Sequence, residues 1–179
     1  MAYPGKEGWV GSLRLSAMRD GLQDFEYLWL LEKRMSEAKQ RLGEDGSWLD
    51  PRQRPKELCQ RVVQSFYEHT RDPKILLDTR RAVADEIEAL DAAPLLVVQT
   101  SPSDGSITPA GPITVNIRGL VTPGAKVTLN GKEVLPQNIS PKGCFVEVRL
   151  ITAKEPELVI SAELDGKHAV AKRAFRVIE

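Results

Sequence analysis

The chain has 179 residues, with 25 Lys+Arg against 25 Asp+Glu and two His. This balance leaves no cationic footprint for nucleic acid or for an anionic membrane surface. With 41% hydrophobic residues the chain can bury a real core, as one large domain or two small ones.

No run approaches the roughly 18 apolar residues of a membrane span. The first residues read as a turn rather than the basic and then apolar start of a secretory signal. Residues 1–94 carry 15 basic and 17 acidic groups and residues 95–179 carry 10 and 8, a contrast too small to imply a charged partner.

In chain order, the first segment is "YPGKEGWVGSLRLSAMRDGLQDFEYLWLLEKR", residues 3 to 34. Tyr3, Pro4 and Gly5 predict a tight turn, and Ser12 is a good helix N-cap. Leu15, Met18, Leu22, Phe25 and Trp29 recur at steps of three and four, which places them on one helical stripe. Leu28, Leu31 and Met35 widen that stripe beyond one face, so the helix is expected to be packed on two sides. Its end is expected near Leu42, with Gly43 taking the left-handed position beyond it.

"GEDGSWLDPRQRP", residues 43 to 55, is a polar, turn-rich loop. Pro55 suits the first turn of a second helix over 55–70, with Leu58, Val62, Val63 and Phe66 facing inward. Asp72 and Pro73 start a third helix over 73–90, with Ile75, Leu76, Arg80, Val83, Ile87 and Leu90 along it. Asp78, Arg81, Asp85 and Glu88 give this helix a solvated outer face.

At residues 91–94 the pattern changes to short β-branched runs separated by turn residues. The runs are "LLVVQT", "ITVNIRG", "AKVTLNG", "KEVLP", "CFVEVRL", "ELVISAEL" and "HAVAKRAFRVI". Asn130-Gly131 and Asp165-Gly166 are two-residue hairpin signals, because both positions tolerate positive φ. Seven short strands in so few residues predict an immunoglobulin-like β-sandwich. Its expected core is Val115, Ile117, Val127, Leu129, Phe145, Val148, Leu150, Val159, Ile160, Phe175 and Val177. The fold class expected is α+β as two domains: a helical segment over 1–93 and an antiparallel sandwich over 94–179.

The two cysteines, Cys59 and Cys144, read as small buried hydrophobes, with an inter-domain disulfide as the alternative that only geometry decides. No Cys-x-x-Cys exists and His69 and His168 lie far apart, so no zinc site is expected. Asp104, Asn116, Asn130 and Asp165 do not form the alternating-oxygen loop of a calcium site. His168 follows a hairpin turn and is expected in solvent. No cofactor is implied.

Tyr3, Pro4 and Gly5, then Ser12 to Leu15, then Met18, Arg19, Asp20 and Gly21, then Asp24, Phe25, Glu26, Tyr27 and Leu28 together resemble one family segment. It is similar to the C-terminal end of the catalytic barrel in glycoside hydrolase family 123 and its uncharacterised relatives, with Phe25 where Tyr is more familiar. The second half separately resembles the bacterial immunoglobulin-like modules of carbohydrate enzymes, through "GLVTPGAKVTLNGKEV" at residues 119–134 and Gly143, Cys144 and Phe145.

These resemblances imply a last barrel helix, a helical extension and an accessory sandwich. They imply catalytic carboxylates upstream of this stretch and no catalytic role for any residue in it. They also imply an upstream barrel of the same polypeptide as partner, and a location outside the bacterial cytoplasm.

Glycoside hydrolysis generally uses two carboxyl groups about 5 to 9 Å apart, which draws attention to Asp20, Asp24 and Glu26. Asp20 and Asp24 share a helix face while Glu26 points elsewhere. The favoured reading makes these residues structural, pairing with Arg14 and Arg19 or with the barrel. Tyr3 and Trp9 are the candidates for lining a substrate, against the plainer roles of turn packing and interface packing, and Trp48 stands singly in its loop. Phe145 and Phe175 are the only aromatics of the second half and read as core, so that half reads as a spacer.

Two functions follow. One is a non-catalytic C-terminal portion of a glycoside hydrolase-like protein, bracing its barrel and supplying a spacer or docking sandwich. The other is a self-contained module that binds a glycan or a protein, with weak self-association through the apolar face of the first helix.

Overall fold

The computed structural model describes residues 2–5, 8–11, 13–65, 67–108 and 111–177, with side chains described from residue 16 onward except at 66 and 108–110. Strands β1 (Ala2–Gly5) and β2 (Gly8–Gly11) pair antiparallel, with Tyr3 opposite Val10 and Pro4 opposite Trp9. The Tyr3–Pro4–Gly5 step is therefore extended strand and not the turn expected.

Helix α1 (Leu13–Leu42) runs 30 residues and ends where Gly43 adopts φ +60°. Only glycine holds that conformation at little cost, and a short 3₁₀ turn over Gly43–Gly46 follows. The expected N-cap, Ser12, lies outside the described residues.

Helix α2 (Gln53–Val62) ends eight residues before the predicted limit. The Ser65 hydroxyl accepts from the Tyr67 and Glu68 N–H groups, and Gln64 N–H bonds to Glu68 O. This local turn outcompetes further helix. Val62 is half-buried and Val63 is exposed, whereas Leu58 is fully buried; Phe66 lies outside the described residues. Helix α3 (Pro73–Asp91) starts as predicted, with the Asp72 carboxylate accepting from Lys74 N–H at 2.9 Å. Asp78, Arg81, Asp85 and Glu88 all face solvent.

The remaining strands are β3 (Leu96–Ser101), β4 (Ile107–Thr108), β5 (Ile113–Val121), β6 (Lys126–Leu129), β7 (Lys132–Glu133), β8 (Cys144–Ile151), β9 (Glu157–Leu164), β10 (Lys167–Ala174) and β11 (Arg176–Val177). They build one antiparallel sheet ordered β3-β5-β8, another ordered β10-β9-β6-β7, and a short parallel β11-β4 pair. With three α-helices and two main antiparallel sheets among the described residues, the chain is α+β. Both predicted hairpins form: Asn130 and Gly131 have φ 47° and 76°, and Asp165 and Gly166 have 51° and 74°.

Two apolar clusters organise the packing. The first draws on both sheets and joins Val115 and Ile117 to Val127, Leu129, Leu158 and Ile160. Phe145 lies over Gly119, where a Cβ would sit 2.2 Å from the ring. Val148 and Leu150, expected in this core, face outward. Residues alternate along β8, so burying Phe145 and Ile151 sends Val146, Val148 and Leu150 to the other face. By the same rule Val159 is only half-buried between Leu158 and Ile160, and Val177 is half-buried.

The second cluster joins Leu31, Met35, Ala38 and Leu42 of α1 to Leu49, Leu58, Val83 and, from the first sheet, Val97 and Leu120. Strand β3 thus serves both clusters, Leu96 and Val98 inward and Val97 toward the helices. Cys59 is exposed and Cys144 half-buried, both as free thiols. No disulfide joins the halves, and the expectation of burial fails for Cys59.

Candidate functional site

The first half of α1 presents an unusual surface. Met18, Leu22, Phe25 and Trp29 are 71%, 60%, 64% and 54% exposed, whereas Leu31, two residues on, is fully buried. An α-helix advances 100° per residue, so Leu31 points almost directly away from Trp29. The helix therefore carries two apolar stripes. One is covered by α2, α3 and the first sheet, and the other stands in solvent with Lys33 Nζ 5.4 Å from the centre of the Trp29 ring.

Beside the open stripe, a groove of about 600 Å³ runs between α1, α2 and α3, lined by Phe25, Leu28, Val62, Val63, Leu76 and Val83. Gly21 also borders it, and a Cβ there would meet nothing within 4 Å. At its rim Arg80 of α3 clamps Asp24 through two bonds of 2.7 Å. The planar guanidinium fork fits a carboxylate in this way.

This arrangement locates the predicted motif residues. Asp24 pairs with Arg80 rather than with a neighbour on its own helix. Asp20 pairs with the adjacent Arg19 at 3.3 Å, in solvent. Glu26 is exposed. Tyr3, Trp9 and Arg14 have side chains outside the described residues. Of the three acidic residues, Asp24 lines the groove and Asp20 and Glu26 do not. Trp48 is half-buried and packs against the helical cluster.

A second constellation was not anticipated from the sequence. Where α2 and α3 meet the sheets, Arg54, Glu57, Glu86, Asp104 and Arg173 are largely buried. Arg54 Nε donates to Glu86 at 2.8 Å, and its Nη1 reaches Glu57 at 3.2 Å and also Asp104. Arg173 Nη1 donates to the same Glu86 oxygen at 2.6 Å, and its Nη2 donates to Val98 O at 2.9 Å. Asp104 further accepts from Arg61 and, at 2.7 Å, from Ala174 N–H.

Burial alone would raise the Glu86 pKa, but Arg173 and Arg54 outweigh it and hold the carboxyl below its ordinary value. Asp104 is lowered in the same manner, with Arg54, Arg61 and Ala174 N–H overcoming its burial. Carboxylates held this firmly ionised are poor proton donors near neutrality. The cluster is suited to joining elements, not to acid–base chemistry.

The signal for it was present in register rather than in any motif. Arg54 and Arg61 flank Leu58 on the inward stripe of α2, and Glu86 falls on the Thr79, Val83 and Leu90 side of α3. Arg173 occupies the inward parity of β10 after Ala169 and Ala171. A charge at an inward position in three elements points to mutual pairing.

His168 is exposed, 3.9 Å from Glu163. Among the described residues no group of three His, Cys, Asp or Glu side chains is placed to hold a metal ion, and no helix is long and apolar enough to cross a membrane.

No family model matches the chain, and no curated relative matches it. Among solved structures it has a distant likeness to an engineered protein, at 22% identity and a TM-score of 0.30 over 57% of this chain. It has another to the endo-β-1,4-mannanase from Thermotoga petrophila, at 13% identity and a TM-score of 0.30 over 64% of this chain. The chain spans 27% of the length of each, and an overlap this slight does not establish a shared fold.

Proposed function

We propose that this chain is a non-catalytic accessory portion of a glycoside hydrolase-like protein. In this reading α1 braces a catalytic barrel that precedes it in the same polypeptide, and the paired sheets form an immunoglobulin-like sandwich that spaces or docks the enzyme. Residues 1–93, helical beyond the β1–β2 pair, and the sandwich residues 94–179 are its two parts.

The observation that carries the reading is the open stripe of Met18, Leu22, Phe25 and Trp29. Burying a large apolar side chain is worth about 1.5–3 kcal/mol, so covering this stripe supplies several kcal/mol toward docking. The stripe also falls within the residues that resemble the helix following the last barrel strand.

The test compares the longer polypeptide and this chain on N-acetylhexosaminide substrates. Turnover by the longer protein and none by this chain supports the proposal. Turnover by this chain that disappears in Asp20→Asn or Glu26→Gln overturns it. Light scattering on the isolated chain separates the alternative: a dimer broken by Phe25→Gln would mean that the stripe serves a second copy, as in a self-contained interaction module.

A further inference from the structure

The molecule also carries a polar cleft that the docking reading leaves unused. It has a volume of about 740 Å³ and lies between α2 and the turn that joins β3 to β4. Gln53, Lys56, Gln60 and Arg61 form one side, and Ser103 and Ser106 the other.

Two of the three carboxylates of this cleft are held by arginines, and Asp50 is exposed with one backbone partner. Asp104 is buried and accepts from Arg54, Arg61 and Ala174 N–H. Glu57 accepts from Arg54 at 3.2 Å and from Gln53 at 2.7 Å, and Asp50 accepts from Arg52 N–H at 3.0 Å. The donors are less fully used. Lys56 is exposed and has no ion pair among the described residues, and the Gln60 side chain has no hydrogen bond among them. Arg61 gives Nη2 to Asp104 and keeps 33% of its side chain open to solvent. Around Lys56, Gln60 and Arg61 the remaining capacity is therefore donor-rich.

Arg61 is also preorganised. The carboxylate that holds it is fixed from below by Arg54 and by the backbone of β10. A guanidinium tethered through one nitrogen offers its other N–H groups to an oxyanion with a smaller loss of side-chain freedom than an untethered one. A flexible ammonium nearby adds charge without demanding one geometry.

We propose that this cleft binds a small anion carrying a carboxylate or a phosphate, with Arg61 and Lys56 as its charged partners and Gln60 as a neutral donor. The inference is independent of what covers α1.

Amide NMR titration of the whole chain at constant ionic strength tests it, with inorganic phosphate and glucuronate as probes and glucose as the uncharged control. Saturable shifts over residues 60–64 and 103–106 with either anion, and none with glucose, are expected. A response to phosphate alone identifies a phosphoryl ligand, and a response to glucuronate alone identifies a carboxylate. Lys56→Gln, at an exposed position, should weaken binding roughly tenfold, the loss of one charge-assisted contact, and leave the other amide resonances in place. Arg61→Gln should abolish the response. Absence of saturable shifts, equal shifts with glucose, or a response unchanged in Lys56→Gln overturns the proposal.

Discussion

The two halves of α1 carry apolar side chains at the same spacing and come to opposite ends. Leu31, Met35, Ala38 and Leu42 are buried against α2, α3 and the first sheet. Met18, Leu22, Phe25 and Trp29, also at steps of four, three and four, remain largely in solvent. Periodicity reports which side chains a helix presents together. It does not report whether the element that would cover them is within reach. The second half folds against its own chain, and the first half is left with a surface whose burial is still available to drive association.

The largest losses are expected on the covered side of that contrast. Glu86 is the shared partner of Arg54 and Arg173, so Glu86→Gln leaves buried positive charge uncompensated. Breaking a buried pair from one side costs about 3–5 kcal/mol, read as a fall in the urea midpoint. Acid should act on the same contacts. The folded pKa values of Glu86 and Asp104 are lowered, so their stabilisation is complete above the unfolded carboxylate value of about 4 and is lost as the pH falls through the lower folded values. The urea midpoint should therefore hold steady from neutrality down to roughly that value and then drop, with a shallower drop in Glu86→Gln.

Leu31→Ala comes next. The side chain is fully buried, and emptying such a site costs about 2–5 kcal/mol. Asp72→Ala removes the α3 N-cap and should cost about 1 kcal/mol. The Asp24–Arg80 clamp is half in solvent. Asp24→Asn should cost less than about 1 kcal/mol in this chain, although the clamp is the best-formed ion pair in the predicted motif.

Most of the architecture was legible because it rests on local rules. Asn130-Gly131 and Asp165-Gly166 turned where they had to, Gly43 closed α1, and Asp72-Pro73 opened α3. The errors came where two rules competed or where a distant neighbour decided. Val148 and Leu150 read as core by hydrophobicity, but Phe145 set the parity of β8 and turned them outward. The end of α2 was lost to a serine-centred turn at Ser65 that helix periodicity does not register.

The buried cluster was missed for a different reason. Arg54, Glu86 and Arg173 were each unremarkable as charged residues, and their importance appears only when each is placed on the inward stripe of its element. In the predicted motif Asp24 was expected to pair with Arg14, Arg19 or a barrel, and its partner is instead Arg80. Arg80 lies 56 positions away, and no spacing rule reaches that far.

The smallest expected effect on stability is also the most informative about the contrast. Phe25→Ser changes a side chain that is 64% exposed, and surface substitutions usually fall within about 0.5 kcal/mol. The unfolding midpoint of this chain should therefore barely move, whereas Leu31→Ala on the opposite stripe should lower it strongly. If Phe25→Ser were instead to destabilise the chain by several kcal/mol, the first half of α1 would already be covered within the fold and would have nothing left to offer a partner. If the midpoint holds while association with the proposed barrel is lost, the stripe owes its apolar character to that contact. The two stripes of one helix would then be conserving different things: one the fold of this chain, the other its place in a larger molecule.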